Sequence, residues 1–484
     1  MKKRLFIAIA VAACFCIAAG SLVAYTFFRP VGIDSAVEAP AVTTTTGEKE
    51  STSTTEPSTT TKTTYPTAYT KPTISTELLA TPMYPEMVKR AGGDWTEWQK
   101  SRQKQQANLD GNTDGMTDFY TQTIAAFLDG NPGENRVYSP LNVYLALSML
   151  AETTDGNTRK QLTDLLGVSS LSTLRKKNAA LWNGVYIDDG LTLSRLGNSL
   201  WLSNSGQYRY KTDTVDRLAK EYFASVYAGE MGSAAYNKQL QQWMNDQTDG
   251  LLKNQVQGIE LSRETVLALV STICFKAGWV GKFSENNTFE ETFYAEGGEK
   301  TCEFMKTSEK TTAYFGKNYT AVSRGLDDGS FKMTFFLPDK DSSVDEIIRD
   351  PKMVALLEGD TGGISQRKIK VNMQIPKFDV TANYSLEEGL KSLGVTDLFD
   401  SNRCNFDGLL EGEKSLLVNA DHAARVKIDE EGAEGAAYTI VTVAKTSKPP
   451  QQEEELDFVL DRPFVFAITG PGDTILFTGV VENP

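Results

Sequence analysis

Apolar residues recur at helical spacing in the first part of the folded chain and at strand spacing in the second. MTDFYTQTIAAFL, from Met116, sets Phe119, Ile124, Phe127 and Leu128 on one helical face. SPLNVYLALSMLAETT, from Ser139, is an apolar helix entered through Ser-Pro, as expected when a cap precedes a first-turn proline. NTRKQLTDLLG is a further helix that stops at glycine. YKTDTVDRLAKEYF and YNKQLQQWMNDQTDG are amphipathic helices. NSLWLSNS is strand-like, and TVLALVSTICFKAGW has the Thr, Val and Ile content of a buried strand. Strands then dominate: KMTFFLPD, KIKVNMQIPKFDV, ARVKIDE, RPFVFAITG and TILFTGVV. Helices first and a mostly antiparallel sheet later predict one α+β domain.

The preceding residues have a different pattern. Lys2, Lys3 and Arg4 lead an apolar run from Leu5 to Phe28, an export signal by its order of charge and apolarity. The run is long enough for a signal anchor, which needs roughly 20 residues, and its flanking charges would leave the rest of the chain outside. Alternatively, Val11-Ala12-Ala13-Cys14 resembles a lipobox, with Cys14 lipidated after cleavage, or the run is a cleaved signal peptide. All three readings put the body outside the cytoplasm. A Thr-rich, Pro-spotted stretch follows to Thr73 and buries too little apolar surface to fold alone. The expected organisation is 1–28 signal segment, 29–114 stalk and linker, and 115–484 folded domain. Trp95 and Trp98 lie in a helical-looking part of the linker and acquire no role from the sequence.

Composition narrows the function. A net charge of −14 argues against a nucleic-acid partner. The chain's one histidine, His422, excludes a multi-histidine metal site. Cys14 and Cys16 sit in the apolar run, and Cys274, Cys302 and Cys404 are widely separated, so these three are expected as buried free thiols. G-x-S-x-G, the phosphate loop and H-E-x-x-H are absent. His422 lies at the opening of the strand ARVKIDE and reads as a structural hydrogen-bonding residue. Neither an enzyme nor a cofactor is called for.

One stretch fits neither loop nor core. Glu430–Pro450 reads EEGAEGAAYTIVTVAKTSKPP. In a strand, Ala433, Gly435, Ala437, Thr439, Val441 and Val443 would share one face, and Glu434, Ala436, Tyr438, Ile440 and Thr442 the other. The first set is compact, as packing under helices requires. The second carries the charge and the aromatic ring. Such a segment could serve as a loop or as an inserted strand.

The domain from about residue 116 resembles the serpins. The resemblance rests on Val137–Val143 (VYSPLNV), Asn198–Trp201 (NSLW), Phe275–Trp279 (FKAGW), Phe335–Asp339 (FFLPD), Ile375–Phe378 (IPKF), Asp461–Phe464 (DRPF) and the C-terminal ILFTGVVENP. It implies helices packed around three largely antiparallel sheets and an exposed reactive-centre loop. It places Ser139, Asn142, Ser271 and His422 in the shutter beneath the opening sheet, and Trp279 at the breach where insertion begins. Family members often have Ser where this chain has Asn142 and Asn where it has Ser271. Glu430, Gly432, Ala433, Glu434, Gly435, Ala436 and Ala437 resemble an inhibitory hinge, departing from it by Gly435, where Ala is usual, and by the large Tyr438 that follows on the open side.

The resemblance therefore implies a suicide inhibitor of extracellular serine proteases, monomeric and covalently complexed with its target. Its membrane association would run only through the N-terminal segment. The Thr-rich stretch adds the expectation of a bacterial cell surface. Counting from Gly432 by family spacing puts the scissile bond at Thr446-Ser447, which suits elastase- or subtilisin-like enzymes. Lys445 would suit a trypsin-like one. Counting back from Arg462-Pro463-Phe464 gives a site near Gln452. A cysteine-protease target and a non-inhibitory binding or chaperone serpin are the alternatives.

Overall fold

The computed structural model describes residues 77–84, 87–130, 133–412, 420–433 and 454–484. Cys14, Cys16, Glu434, Gly435, Ala436, Ala437, Lys445, Thr446 and Ser447 lie outside these residues, as does the whole N-terminal apolar run. Residues 77–114 pack within the same compact unit as the rest of the described chain, so the sequence boundary at 115 falls inside that unit.

Seven helices carry the packing discussed below: α1 (Trp95–Gln106), α2 (Thr117–Leu128), α3 (Pro140–Thr153), α4 (Gly156–Leu165), α5 (Leu171–Val185), α6 (Thr212–Glu221) and α7 (Ala234–Gln247). The first sheet contains β1 (Glu77–Ala80), β3 (Ile187–Asp188), β4 (Leu193–Ser203), β5 (Ala224–Gly229), β6 (Leu267–Gly278), β12 (Phe378–Ser385), β13 (Asp421–Ile428) and β14 (Gly432–Ala433). Its order is β1-β5-β4-β6-β14-β13-β12, with β3 on β4. The second contains β2 (Arg136–Tyr138), β7 (Thr288–Ala295), β8 (Gly298–Phe315), β9 (Tyr319–Leu326), β10 (Phe331–Pro338), β11 (Ser365–Pro376), β15 (Glu455–Val459), β16 (Phe464–Thr469) and β17 (Ile475–Val481). Its order is β15-β11-β8-β9-β10-β16-β17-β2, with β7 on β8.

Thus the described strands form two sheets rather than the three that the resemblance implied. The reason is β8, 18 residues long. Its first part pairs with β7, Phe304–Phe315 pair with β11, and its last three residues pair with β9. One strand thereby makes two ladders continuous. Conversely, the single sequence run KIKVNMQIPKFDV divides at Lys377, with β11 in one sheet and β12 in the other.

Helix α3 is buried along nearly its whole length because it lies under β6 and against β17. That explains an apolar content too even for a surface helix. Helix α7 packs on the opposite face of the first sheet, with Trp243, Leu240 and Met244 against Trp201. Helix α5 was not legible in the pattern. Its entry is capped by Ser170, whose hydroxyl accepts from the Thr173 amide. Among the described residues, no helix is long and apolar enough to cross a membrane.

Candidate hinge and insertion slot

Strand β13 ends at Ile428, and the chain reverses through Asp429–Gly432 into β14. The Asp429 carboxylate accepts from the Glu431 and Gly432 amides at 3.0 and 3.3 Å, and the Asp429 amide donates to the Gly432 carbonyl at 3.0 Å. This side-chain-to-backbone closure is why Asp suits the turn. The returning chain enters between β13 and β6. Ala433 pairs with Ile428 on one side and Ala277 on the other, and Gly432 pairs with Gly278. A Cβ at position 432 would run into the Ala277 carbonyl, so the approach requires glycine.

Several contacts hold this point of entry. Trp279 is buried, its indole N–H donates to the Asp429 carbonyl at 2.8 Å, and its amide donates to Glu431 at 3.0 Å. The Phe283 ring stands edge-on to it at 5.7 Å. The Arg324 guanidinium lies 4.2 Å over Phe283, a buried cation–π contact. Glu430 accepts from the Thr288 hydroxyl at 2.7 Å and pairs with Lys377 at 2.8 Å. Burial alone would raise the Glu430 pKa, but these donors outweigh it and hold the carboxyl below its ordinary value. Glu431 pairs with Lys282. Trp279, expected from the resemblance at the breach, thus lies against the turn that carries Glu430, Gly432 and Ala433. Arg324 and Phe283 carried no sequence signal.

Below β14 the described residues give no ladder joining β6 directly to β13. A cavity of about 140 Å³ lies there, lined by Asn142, Ser271 and His422 and flanked by Leu240, Met244 and Ala423. Its floor is α3 and its roof is α7. The expected shutter residues form two hydrogen-bonded pairs. The Ser139 amide donates to His422 Nε2 at 3.2 Å, and the Ser139 hydroxyl donates to the Leu476 carbonyl. Asn142 Nδ2 donates to the Ser271 carbonyl at 3.1 Å. The Ser271 hydroxyl lies between the Asn142 and Asn198 side-chain oxygens, the latter at 2.9 Å. The Ser/Asn exchange is therefore accommodated locally, with Asn198 as a third partner.

His422 is buried among Tyr138 and Tyr384, whose rings stand 5.5 and 5.7 Å away. Burial lowers its pKa to about 4. Accepting through Nε2 requires the neutral ring, protonated at Nδ1. The folded value lies below the unfolded one of about 6.5. This contribution to stability is therefore complete above pH 6.5 and is lost as pH falls toward 4. We expect the urea-unfolding free energy to drop by about 2 kcal/mol from this residue between pH 7 and 4.5. His422→Gln should lose that part of the slope, and an unchanged slope would show that His422 does not carry it.

Cys274 and Cys404 are buried, as expected. Cys302 is only half-buried, a departure from that expectation. It lies on β8 opposite Glu291 and packs against the core, and burial raises its thiol to about 11.

Residues 114–484 match the family model described as Serpin (serine protease inhibitor). Serpin-ZX of Arabidopsis thaliana is 28% identical over 369 residues, covering 72% of this chain and 92% of the relative. Leukocyte elastase inhibitor of Sus scrofa is 26% identical over 379 residues, covering 76% and 98%. The native-state structure of the thermophilic serpin tengpin superposes with a TM-score of 0.67 at 22% identity, covering 84% of this chain and 97% of that one.

Proposed function

The chain belongs to the serpin family, and from that premise we propose that it inhibits serine proteases by trapping them as acyl-enzymes. The observation that carries this reading is the hinge. Two residues of the returning segment already occupy a strand position between β6 and β13, above a slot that continues below them. Gly432, Ala433, Gly435, Ala436 and Ala437 are small enough to extend that strand.

In the proposed reaction the protease serine Oγ attacks the Thr446 carbonyl carbon. Its proton passes through the protease histidine to the leaving nitrogen of Ser447, and the peptide C–N bond breaks. An ester to Thr446 remains. The freed hinge then enters the slot and carries the esterified protease with it, distorting the protease's active site before water can cleave the ester. Strand addition and release of stored strain are general properties attributed to serpin loops. The small Thr446 side chain suits elastase- or subtilisin-like pockets, and the name of the elastase-inhibiting relative accords with that class. The N-terminal run and Thr-rich stretch support a body held outside the cytoplasm at the cell surface.

The test is to incubate the chain from Lys71 with elastase-, subtilisin- and trypsin-type enzymes and separate the products under denaturing conditions. A denaturant-resistant complex is expected, with a released peptide beginning at Ser447. A peptide beginning at Thr446 would move the site to Lys445. Cleavage of the loop by every enzyme without any complex would overturn the inhibitory reading in favour of a binding module.

A further inference from the structure

The segment before the family match is built into the sheet that must open. Strand β1 adds to the outer edge of the first sheet, pairing Glu77 with Ala228 and Ala80 with Val226 of β5. Tyr84 then stacks on Trp182 at 5.3 Å and on Tyr186 at 5.9 Å. The Arg90 amide donates to the Asp189 carbonyl at 2.9 Å, and its guanidinium pairs with Asp189 at 3.3 Å and with Asp327. Trp98 of α1 is 2% exposed and donates through its indole N–H to Asp189 at 2.9 Å. Leu109, just past α1, fills a notch made by the glycines at 184 in α5 and 472 in the β16–β17 connection.

These attachments fall on parts that loop insertion would move relative to one another. Asp189 lies in the β3–β4 connection of the first sheet. Asp327 lies in the β9–β10 connection of the second, and its amide donates to the Gly278 carbonyl at 2.8 Å. Gly278 is the residue paired with Gly432 at the point of entry. Admitting a full strand between β6 and β13 requires one half of the first sheet to shift by about 4.8 Å, one strand spacing, over what lies beneath. Arg90 joins the β1–β6 half to the second sheet, and Leu109 joins the segment to α5 and the second sheet. A shift of that half breaks or stretches both.

We propose that residues 77–109 form a clasp that resists opening of the first sheet and so keeps the uncleaved loop outside. The clasp rests on the loop-insertion reading. Its release, without any protease, should speed conversion to a form with the loop inserted, inactive and more resistant to unfolding. Arg90→Ala removes the pair that spans the two sheets. Gly184→Ala acts from the opposite side, because the three atoms nearest its new methyl group would all belong to Leu109.

The parent chain and both variants are held at a temperature where the parent converts slowly. Loss of protease-trapping capacity and gain of urea resistance are followed together. Conversion at least tenfold faster in both variants, with full trapping capacity in the fresh proteins, is the expected result. A variant that was merely loosened would unfold or aggregate instead of gaining urea resistance, and that outcome would count against the clasp. Conversion of both variants at the parent's rate would overturn the clasp alone. A parent that gains no stability when its loop is cleaved would overturn the insertion reading, and the clasp with it.

Discussion

Cleavage of the loop is expected to raise the unfolding temperature by roughly 15–25 °C. About a dozen residues after Ala433 would enter the slot. At about 1 kcal/mol net per ladder hydrogen bond, together with the apolar burial, insertion releases on the order of 10–20 kcal/mol. Unfolding entropy near 2 cal/mol/K per residue, over the matched domain of residues 114–484, converts that energy to the stated rise. The sequence of the inserting residues matches the slot it would fill. Continuing the register from Ala433–Ala277 and Ala433–Ile428 sets Thr439 between Ser271 and His422, beside the Asn142 pair. The same register sets Glu434 between Lys276 and Lys427. A polar residue thus meets the polar floor of the slot, and an acid meets two bases. Calorimetry of the intact and nicked chains checks the prediction. Equal midpoints would mean that the loop stays out after cleavage.

Most of the core was legible because its residues announce their environment. Helix α2 is apolar on one face, while α3 and the strands β10, β16 and β17 are apolar almost throughout, as elements buried on all sides are. The resemblance named Trp279, Ser139, Asn142, Ser271 and His422 as site residues, but their pairing, Ser139 with His422 and Asn142 with Ser271, is seen only in the structure. What stayed hidden was tertiary. Nothing local marks β8 as the strand that joins two ladders, since its outer half alternates among charged and hydroxyl residues exposed to water. Nothing local marks Arg90, Trp98 and Leu109 as partners of Asp189, Asp327 and two glycines, all far away along the chain. A polar helix with few apolar residues looks like linker, and α1 has only Trp98 and Arg102 buried. Its attachment comes from single contacts, the Trp98–Asp189 and Gln105–Tyr186 hydrogen bonds and the Arg90 guanidinium over the Trp98 ring, which leave no periodic trace.

Ala437→Arg is expected to turn the inhibitor into a substrate. In the register above, position 437 falls between Ile273 and Ala424, which are 9% and 3% exposed. Both face the floor under the sheet, as Ala433 does at 2%. An arginine there must shed its hydration with no carboxylate opposite it, a cost of several kcal/mol. Before cleavage the residue precedes the scissile bond by nine positions and takes no part in acyl transfer, so attack on Thr446 proceeds as before. The outcome is decided by a race between insertion and hydrolysis of the ester. Each 1.4 kcal/mol added to the insertion barrier slows it tenfold, so even part of the penalty lets water win. The yield of covalent complex should fall to below a tenth of the parent's, while the rate of loop cleavage stays within about twofold. Glu434→Gln, on the opposite face between the two lysines, should keep most of the yield, because losing a partly exposed ion pair costs only about 1 kcal/mol. Full complex formation by Ala437→Arg would mean that the segment does not enter the sheet as far as residue 437. The trap would then need another source of force.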